Sequence, residues 1–171
     1  MKALFQKEVN SLIDKELIDK VSNLLKKQNL TVATAESCTG GLIAHTLTNI
    51  SGSSDYFDRG IVSYSNNAKM ELLDVPENLL KKYGAVSEQV AKAMAEGIRK
   101  SSKVDIGIST TGIAGPKGGT KEKPVGLVYI AISASENTVV KKFQFSGDRL
   151  QNKESTCNAA LNMFLDCLTS R

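Results

Sequence analysis

One short stretch of the sequence, TAESCTGG at residues 34–41, concentrates side chains that could do chemistry. It places the hydroxyl of Ser37 and the thiol of Cys38 between an apolar run and a predicted helix. A serine or cysteine can act as a nucleophile in acyl transfer, provided that a nearby group accepts its proton. The N–H groups that open a helix favour negative charge, so the same junction could also bind an anion.

The simpler interpretation is that this stretch only begins a helix. A hydroxyl before a helix usually caps it, and both Ser37 and Thr39 stand where they could do so. Gly40 and Gly41 favour a functional role, because glycines in the first turn of a helix predicted from about Thr39 would lower its stability. We therefore expect a ligand to approach the backbone closely at these two glycines.

A serine nucleophile needs a base, and histidine is excluded from that role. The single histidine, His45, lies eight residues beyond Ser37 on the same predicted helix. This spacing puts it about 12 Å away along the helix axis. The same reasoning excludes a pair of His45 with the neighbouring thiol. A lysine, a tyrosine or a carboxylate must then supply the base.

A second polar stretch, YSNNAK at residues 64–69, also lies between a predicted strand and a predicted helix. It offers Tyr64 and Lys69, and burial could lower the pKa of the lysine enough to leave it partly neutral. These side chains face the first stretch only if the two strands are neighbours. The alternative is that both belong to the solvated surface.

A third polar stretch, TTGIAGPKGGTKEKPVG at residues 110–126, follows another predicted strand. It matches neither a phosphate-binding loop with G-K-[ST] nor the G-x-G-x-x-G dinucleotide fingerprint. Its first part predicts a backbone cradle for an anion or a sugar, whereas KGGTKEK reads as the tip of a long connection. The cradle would be formed by Thr110, Thr111, Gly112 and Gly115. Further along, Asp148 is expected to cap the last helix, and Arg149 could bind phosphate or pair with a surface acid.

The elements that must position these stretches alternate along the chain. Helical spacing of apolar residues predicts one long helix, or two in succession, over residues 3–28. The predicted strands cover residues 30–35, 60–65, 104–110, 125–133 and 138–145, the last two pairing across a turn. Five further helices are predicted. The first starts near Thr39, the second covers residues 66–73, and the third runs from residue 76 to Gly84. The last two follow the N-caps Ser87 and Asp148. This order predicts an α/β domain in layers with a mixed sheet.

Composition narrows the function classes. A chain of 171 residues is expected to form one domain, residues 1–171. The net charge of +4 comes from scattered lysines rather than a basic stripe, so a small anionic ligand is expected and direct nucleic-acid binding is not. Three cysteines without C-x-x-C spacing predict neither a disulfide framework nor a zinc site, and favour a reduced cytoplasmic setting. The charged N-terminal segment resembles neither a signal peptide nor a membrane span.

Four motifs in this order carry a resemblance to a known family. AESCTGG, YSNNAK, TTGIAGPKGGTKEKPVGLVYIA and FSGDR closely resemble the CinA C-terminal domain family, from about residue 6 to the C-terminus. The resemblance implies a three-layer α/β/α fold. Stand-alone members of the family are nicotinamide-nucleotide amidases, which convert nicotinamide mononucleotide to nicotinic acid mononucleotide and ammonia without a metal or cofactor. Longer members carry a further N-terminal domain, for which this chain is expected to have no room.

The resemblance also implies roles for individual residues. Ser37 matches the nucleophile, Lys69 the base, and Tyr64 a residue that could assist proton transfer, while backbone N–H groups near residues 38–41 would stabilise the oxyanion. The implied substrate-binding residues are Cys38, Thr39, Gly40, Gly41, Thr110, Thr111, Gly112, Ala114, Gly115 and Arg149. One departure is Lys153, where family members often have an arginine.

Three interpretations remain at this point. The first is a metal-free Ser-Lys amidase that acts on a small nucleotide and forms a homo-oligomer. The second is a nucleotide-binding or regulatory module of the same fold that lacks turnover. The third, suggested by the family's competence-related name, is an interaction protein in DNA uptake or repair, against which the missing basic stripe argues.

Overall fold

The computed structural model describes residues 13–135 and 137–170, which form one mixed five-stranded sheet covered by helices on both faces. The strands are β1 (Val32–Glu36), β2 (Phe57–Val62), β3 (Ile106–Gly112), β4 (Leu127–Ser133) and β5 (Thr138–Gln144). The helices are α1 (Lys15–Gln28), α2 (Leu42–Thr48), α3 (Asn66–Leu73), α4 (Glu77–Tyr83), α5 (Glu88–Ser102) and α6 (Arg149–Thr169), with a 3-10 turn at Ser53–Asp55.

The order of strands across the sheet is β2-β1-β3-β4-β5. β1 is parallel to both of its neighbours, whereas β4 is antiparallel to β3 and β5 is antiparallel to β4. The predicted mixed sheet and the predicted pairing of the last two strands are therefore confirmed. Since the carboxyl ends of parallel strands meet at one edge of a sheet, the segments that follow β1, β2 and β3 lie side by side.

The layers follow the alternation of side chains along the strands. Val32, Ile106 and Ile108 face α1, α2 and α6, in a core that includes Leu25 and Phe164. The opposite face turns alanines toward α3, α4 and α5, where the core residues include Ala33, Ala35, Leu73, Leu80 and Met94. The three-layer α/β/α arrangement implied by the resemblance is thus confirmed.

Several predicted element boundaries are corrected. The helix expected over residues 3–28 covers Lys15–Gln28, and the part of that prediction on residues 1–12 lies outside the described residues. The helix expected from about Thr39 begins at Leu42. β2 covers Phe57–Val62 rather than residues 60–65, because this edge strand is mostly exposed and lacks the alternation that marks a half-buried strand.

The predicted helix caps are confirmed. Ser87 opens α5 and accepts a hydrogen bond from the backbone N–H of Val90. Asp148 opens α6, where it forms a capping box with Gln151. Within the described part of the chain, no helix is both long and apolar enough to cross a bilayer.

Candidate active site

The loop that follows β1 carries the candidate nucleophile. Ser37 is the first residue after the strand, is 9% exposed, and donates its backbone N–H to the carbonyl of Thr110 at 3.0 Å. Gly40 and Gly41 have φ values of +64° and +94°, which residues with side chains rarely adopt. A methyl group at either glycine would have ordinary space. The glycines therefore serve the left-handed turn between the strand and α2, and the expectation that they sit within the helix is wrong.

Neither hydroxyl of this loop caps α2. The cap is Glu36, whose carboxylate accepts hydrogen bonds from the backbone N–H groups of Gly41, Ile43 and Ala44 at 2.8 to 3.1 Å. Glu36 is 1% exposed. The Glu36 carboxylate therefore offsets the partial positive charge at the N-terminus of α2, and it already accepts hydrogen bonds from the first N–H groups of this helix.

The candidate base reaches Ser37 from the neighbouring strand end. α3 begins after the N-cap Ser65. Lys69 lies near the start of this helix, and its side chain extends toward the residues that follow β1 and β2. The Lys69 Nζ lies 3.1 Å from Ser37 Oγ, 2.7 Å from the carbonyl of Ser63 and 3.3 Å from the carbonyl of Tyr64. The adjacency that this contact required is present, since β2 and β1 are paired.

Burial sets the charge state of the groups around the nucleophile. The Lys69 side chain is 1% exposed, and burial lowers the pKa of its amine below the ordinary value of 10.5. Burial raises the pKa of the Cys38 thiol to about 12. Near neutral pH the thiol is therefore protonated and a poor nucleophile, whereas the hydroxyl of Ser37 faces a lysine whose lowered pKa makes its neutral form more accessible than that of an exposed lysine.

The third stretch closes the other side of the loop. Thr110 is buried on β3, and its hydroxyl lies 2.8 Å from that of Thr39. Thr111 donates its hydroxyl to the carbonyl of Ala85. Gly112 has no room for a side chain, because a Cβ there would approach the carbonyl oxygen of Leu127 to 2.6 Å.

The first turn of α6 contributes an arginine to the same place. Arg149 donates from Nη1 to the carbonyl of Gly115 at 2.7 Å and from Nη2 to the Tyr64 hydroxyl at 2.8 Å. These bonds connect the second and third polar stretches across the mouth of the site. Lys153, one helical turn further, directs its Nζ toward Gly40, where an added Cβ would lie 3.6 Å from it.

A cavity of about 190 Å³ lies between these elements. The predicted site residues that line it are Ser37, Cys38, Tyr64, Lys69, Thr111, Gly112, Ala114 and Arg149. Five other predicted residues do not line the cavity but lie behind the residues that do: Thr39, Gly40, Gly41, Thr110 and Gly115. Their assignment to substrate binding stays a prediction.

Four residues of this site had no assigned role in the sequence interpretation. Ala85 and Val86, between α4 and α5, line the cavity, and no strand end marks them in the sequence. Asn152 is 1% exposed and ties α6 to the third stretch by donating to the carbonyls of Ala114 and Gly147. Glu36 could not be recognised as a cap, because it lies five residues before the N-cap Gly41 and reaches the helix only through the folded turn.

Two remaining sequence predictions concern histidine and metals. His45 is exposed on α2 and lies beside Asn49, as expected for a residue outside the site. Among residues 13–135 and 137–170, no group of three or more histidine, cysteine, aspartate or glutamate side chains is arranged to hold a metal ion.

Comparison with known proteins identifies the family. The CinA C-terminal domain is matched over residues 14–168, so the chain belongs to the CinA C-terminal domain family. A relative from Caldicellulosiruptor bescii is 55% identical over 152 residues, and a CinA-like protein from Syntrophus aciditrophicus is 50% identical over 159 residues. The alignments cover 88% and 92% of this chain but only 37% and 38% of those relatives.

A solved structure shares both the fold and the length. The competence/damage inducible protein CihA from Agrobacterium tumefaciens has 41% sequence identity and a TM-score of 0.86, with 93% of this chain and 99% of that chain covered. A CinA superfamily protein from Klebsiella pneumoniae 700603 has 31% identity and a TM-score of 0.88, over 91% of this chain and 98% of the other.

Proposed function

We propose that this protein is a metal-independent amidase that hydrolyses the carboxamide of nicotinamide mononucleotide to a carboxylate and ammonia. The observation that carries the proposal is the contact of 3.1 Å between Ser37 Oγ and the buried Nζ of Lys69, inside a cavity at the carboxyl ends of the parallel strands. The choice of substrate comes from the resemblance to the nicotinamide-nucleotide amidases. The contact itself supports serine acyl-transfer chemistry.

The Nζ of Lys69 faces three acceptors, because it donates to the carbonyls of Ser63 and Tyr64 and to the Ser37 hydroxyl oxygen. In its neutral form the amine has two N–H donors and one lone pair, so the two carbonyls can accept the N–H groups while the lone pair accepts the Ser37 proton. In the proposed first step, Lys69 takes the hydroxyl proton as Oγ forms a bond to the carboxamide carbon. The carbonyl oxygen then becomes an oxyanion.

Backbone N–H groups of the nucleophile loop would stabilise that oxyanion. Gly41 is unsuited to this role, because its N–H group already donates to Glu36. Ser37 is excluded in the same way by its bond to Thr110. The donors that the proposal uses are therefore those of residues 38–40, which follow the nucleophile directly.

The remaining steps return the enzyme to its starting state. The protonated Lys69 gives its proton to the amide nitrogen, and the C–N bond breaks. Ammonia departs, and the acyl group remains bound to Ser37 as an ester. Water then attacks this ester with Lys69 as the base, and the Oγ regains a proton as the acid product departs. Tyr64 lines the cavity, where its hydroxyl accepts a hydrogen bond from Arg149, and it is proposed to assist binding or proton transfer.

The size and charge of the site suggest how the nucleotide would lie. The cavity of about 190 Å³ is smaller than the roughly 300 Å³ at the lower end of typical ligand pockets, so it fits the carboxamide and ring better than the whole nucleotide. The phosphate would then remain at the mouth, where Arg149 and Lys153 supply positive charge.

The test is release of ammonia from nicotinamide mononucleotide by the purified protein in the presence of a chelator, with the acid product identified by mass. Free nicotinamide serves as the matched control for the ribose phosphate, and we expect it to react far more slowly. Binding of the nucleotide without any ammonia release, in folded protein, would contradict the proposal and favour a binding module.

A further inference from the structure

Glu36 is the most completely bonded carboxylate near the candidate site. Its Oε2 accepts from the backbone N–H groups of Gly41 and Ile43, and its Oε1 accepts from the N–H of Ala44 and the hydroxyl of Thr34. All four donors are held within 3.3 Å of a side chain that is 1% exposed. Such charge-assisted bonds are stronger than neutral ones and hold a loop at defined points.

The backbone of the same residue links the two halves of the proposed dyad. The Glu36 carbonyl accepts the N–H of Ser63 at 2.9 Å, and the Ser63 carbonyl in turn accepts from Lys69 Nζ at 2.7 Å. Directly after Glu36, the N–H of Ser37 is held by the Thr110 carbonyl. Glu36 therefore holds the nucleophile loop with its side chain. With its main-chain carbonyl it also holds Ser63, whose own carbonyl binds Lys69.

We propose that Glu36 is a positioning residue for Ser37, an inference that rests on the proposed function. Its carboxylate replaces the side-chain cap that the N-cap Gly41 lacks, and so holds residues 37–41 in the turn that presents Oγ to Lys69. Glutamine has the same shape, but its NH₂ group would face backbone donors instead of accepting from them. Glu36→Gln therefore releases the turn without a large change in volume.

The proposal has a consequence for how an anionic substrate binds. A helix N-terminus is often an anion site, but at α2 the position is occupied by the negative charge of Glu36. The first N–H groups of α2 are therefore not free to bind the phosphate of a nucleotide, and we expect the cations Arg149 and Lys153 to bind it instead.

The experiment measures the reactivity of Ser37 directly with a fluorophosphonate, a small probe that needs no nucleotide. In the reaction Oγ forms a bond to phosphorus, fluoride leaves, and the hydroxyl proton passes to Lys69. Wild type, Glu36→Gln and Asp14→Ala are compared by the rate of labelling and by far-UV circular dichroism. Asp14→Ala removes a carboxylate cap from α1, remote from the site, and controls for a general loss of stability.

We expect Glu36→Gln to label about 100-fold more slowly than wild type, the loss expected when a nucleophile moves by about an ångström, whereas Asp14→Ala labels at the wild-type rate. On nicotinamide mononucleotide, kcat should fall in Glu36→Gln with little change in KM. If Glu36→Gln does not fold, Glu36→Asp keeps the charge but shortens its reach, and slower labelling with an intact spectrum is again expected.

Labelling of either folded Glu36 variant at the wild-type rate would overturn the positioning role while leaving the amidase proposal standing. Slow labelling of the variants, beside a wild type that labels but releases no ammonia, would support the positioning role and overturn the amidase. A wild type that neither labels nor turns over would contradict both.

Discussion

Lys69 determines the pH range in which the proposed chemistry can operate. Its amine is buried, and burial lowers its pKa below 10.5. Because only the neutral amine can accept the Ser37 proton, we expect kcat/KM to rise as the pH increases through this lowered pKa. A profile of kcat/KM from about pH 5 to pH 10 checks it, and a profile that is flat over this range would contradict the role of Lys69.

The residue beside the nucleophile gives a second prediction at this scale. Burial raises the pKa of the Cys38 thiol to about 12, so the thiolate is scarce near neutral pH. We expect Cys38→Ala to keep kcat within about tenfold of wild type, since it removes part of the cavity wall and no reacting atom. Loss of all turnover in a folded Cys38→Ala protein would show that the thiol, rather than the hydroxyl, does the chemistry.

The sequence pointed to the candidate nucleophile and base better than to the residues that hold them. Ser37 stood out because it follows a predicted strand and serine is one of few residue types that act as nucleophiles, whereas Lys69 was one of several candidate bases until the family resemblance singled it out. The contact between them depends on the pairing of β1 with β2, which no local pattern encodes. Glu36 stood in the opening motif, but its bonds to residues five to eight positions ahead exist only in the folded turn.

At the scale of single elements, the two aspartate caps form a matched pair for testing how α6 contributes. Asp14 caps α1 and Asp148 caps α6, each by accepting a backbone N–H with its side chain. We expect either change to alanine to lower the free energy of unfolding by about 1 kcal/mol. Only Asp148→Ala should also raise KM for the nucleotide, because Arg149 follows that cap directly.

Denaturant unfolding and steady-state kinetics on both variants check this expectation. An equal KM in Asp14→Ala and Asp148→Ala would show that the start of α6 does not help to bind the substrate.

A helix or strand could be predicted from the sequence when one of its faces is buried, because burial places apolar residues at a regular spacing. The residues of α3, 66–73, were predicted with the observed boundaries, although the prediction assigned Ser65, which is the N-cap of this helix, to the preceding strand. β2 was placed three residues too late, because an exposed edge strand carries no alternation. The start of α2 was misplaced because residues 38–41 form a turn in which Gly40 and Gly41 are left-handed, a conformation that the sequence pattern does not distinguish from a first helical turn.

At the scale of the whole molecule, the sheet order explains why three separated motifs meet. β1 lies between β2 and β3 and is parallel to both, so the segments after all three strands converge at one edge. The alternation of helices and strands predicted the fold class and the mixed sheet. It could not predict the strand order, which depends on which apolar faces pack together over the whole chain.

The assembly state is a further property at this scale, and a homo-oligomer stays a prediction. Large apolar side chains are exposed beside the mouth of the site, among them Val62, Tyr64 and Leu150. Surfaces of this kind often mark protein interfaces. We expect light scattering to give a mass of at least twice the 18.4 kDa of one chain, and a charged residue at Leu150 to reduce it. A monomer at micromolar concentration would contradict the expectation.

The most direct test of the proposed Ser-Lys amidase is turnover of nicotinamide mononucleotide by Ser37→Ala, measured beside wild type, with folding verified by circular dichroism. The Ser37 side chain contacts Lys69 and does not cap a helix, so the variant should fold. We expect wild type to release ammonia and Ser37→Ala to lose at least about 1,000-fold in kcat. Turnover by folded Ser37→Ala at a rate close to wild type would contradict the proposed nucleophile.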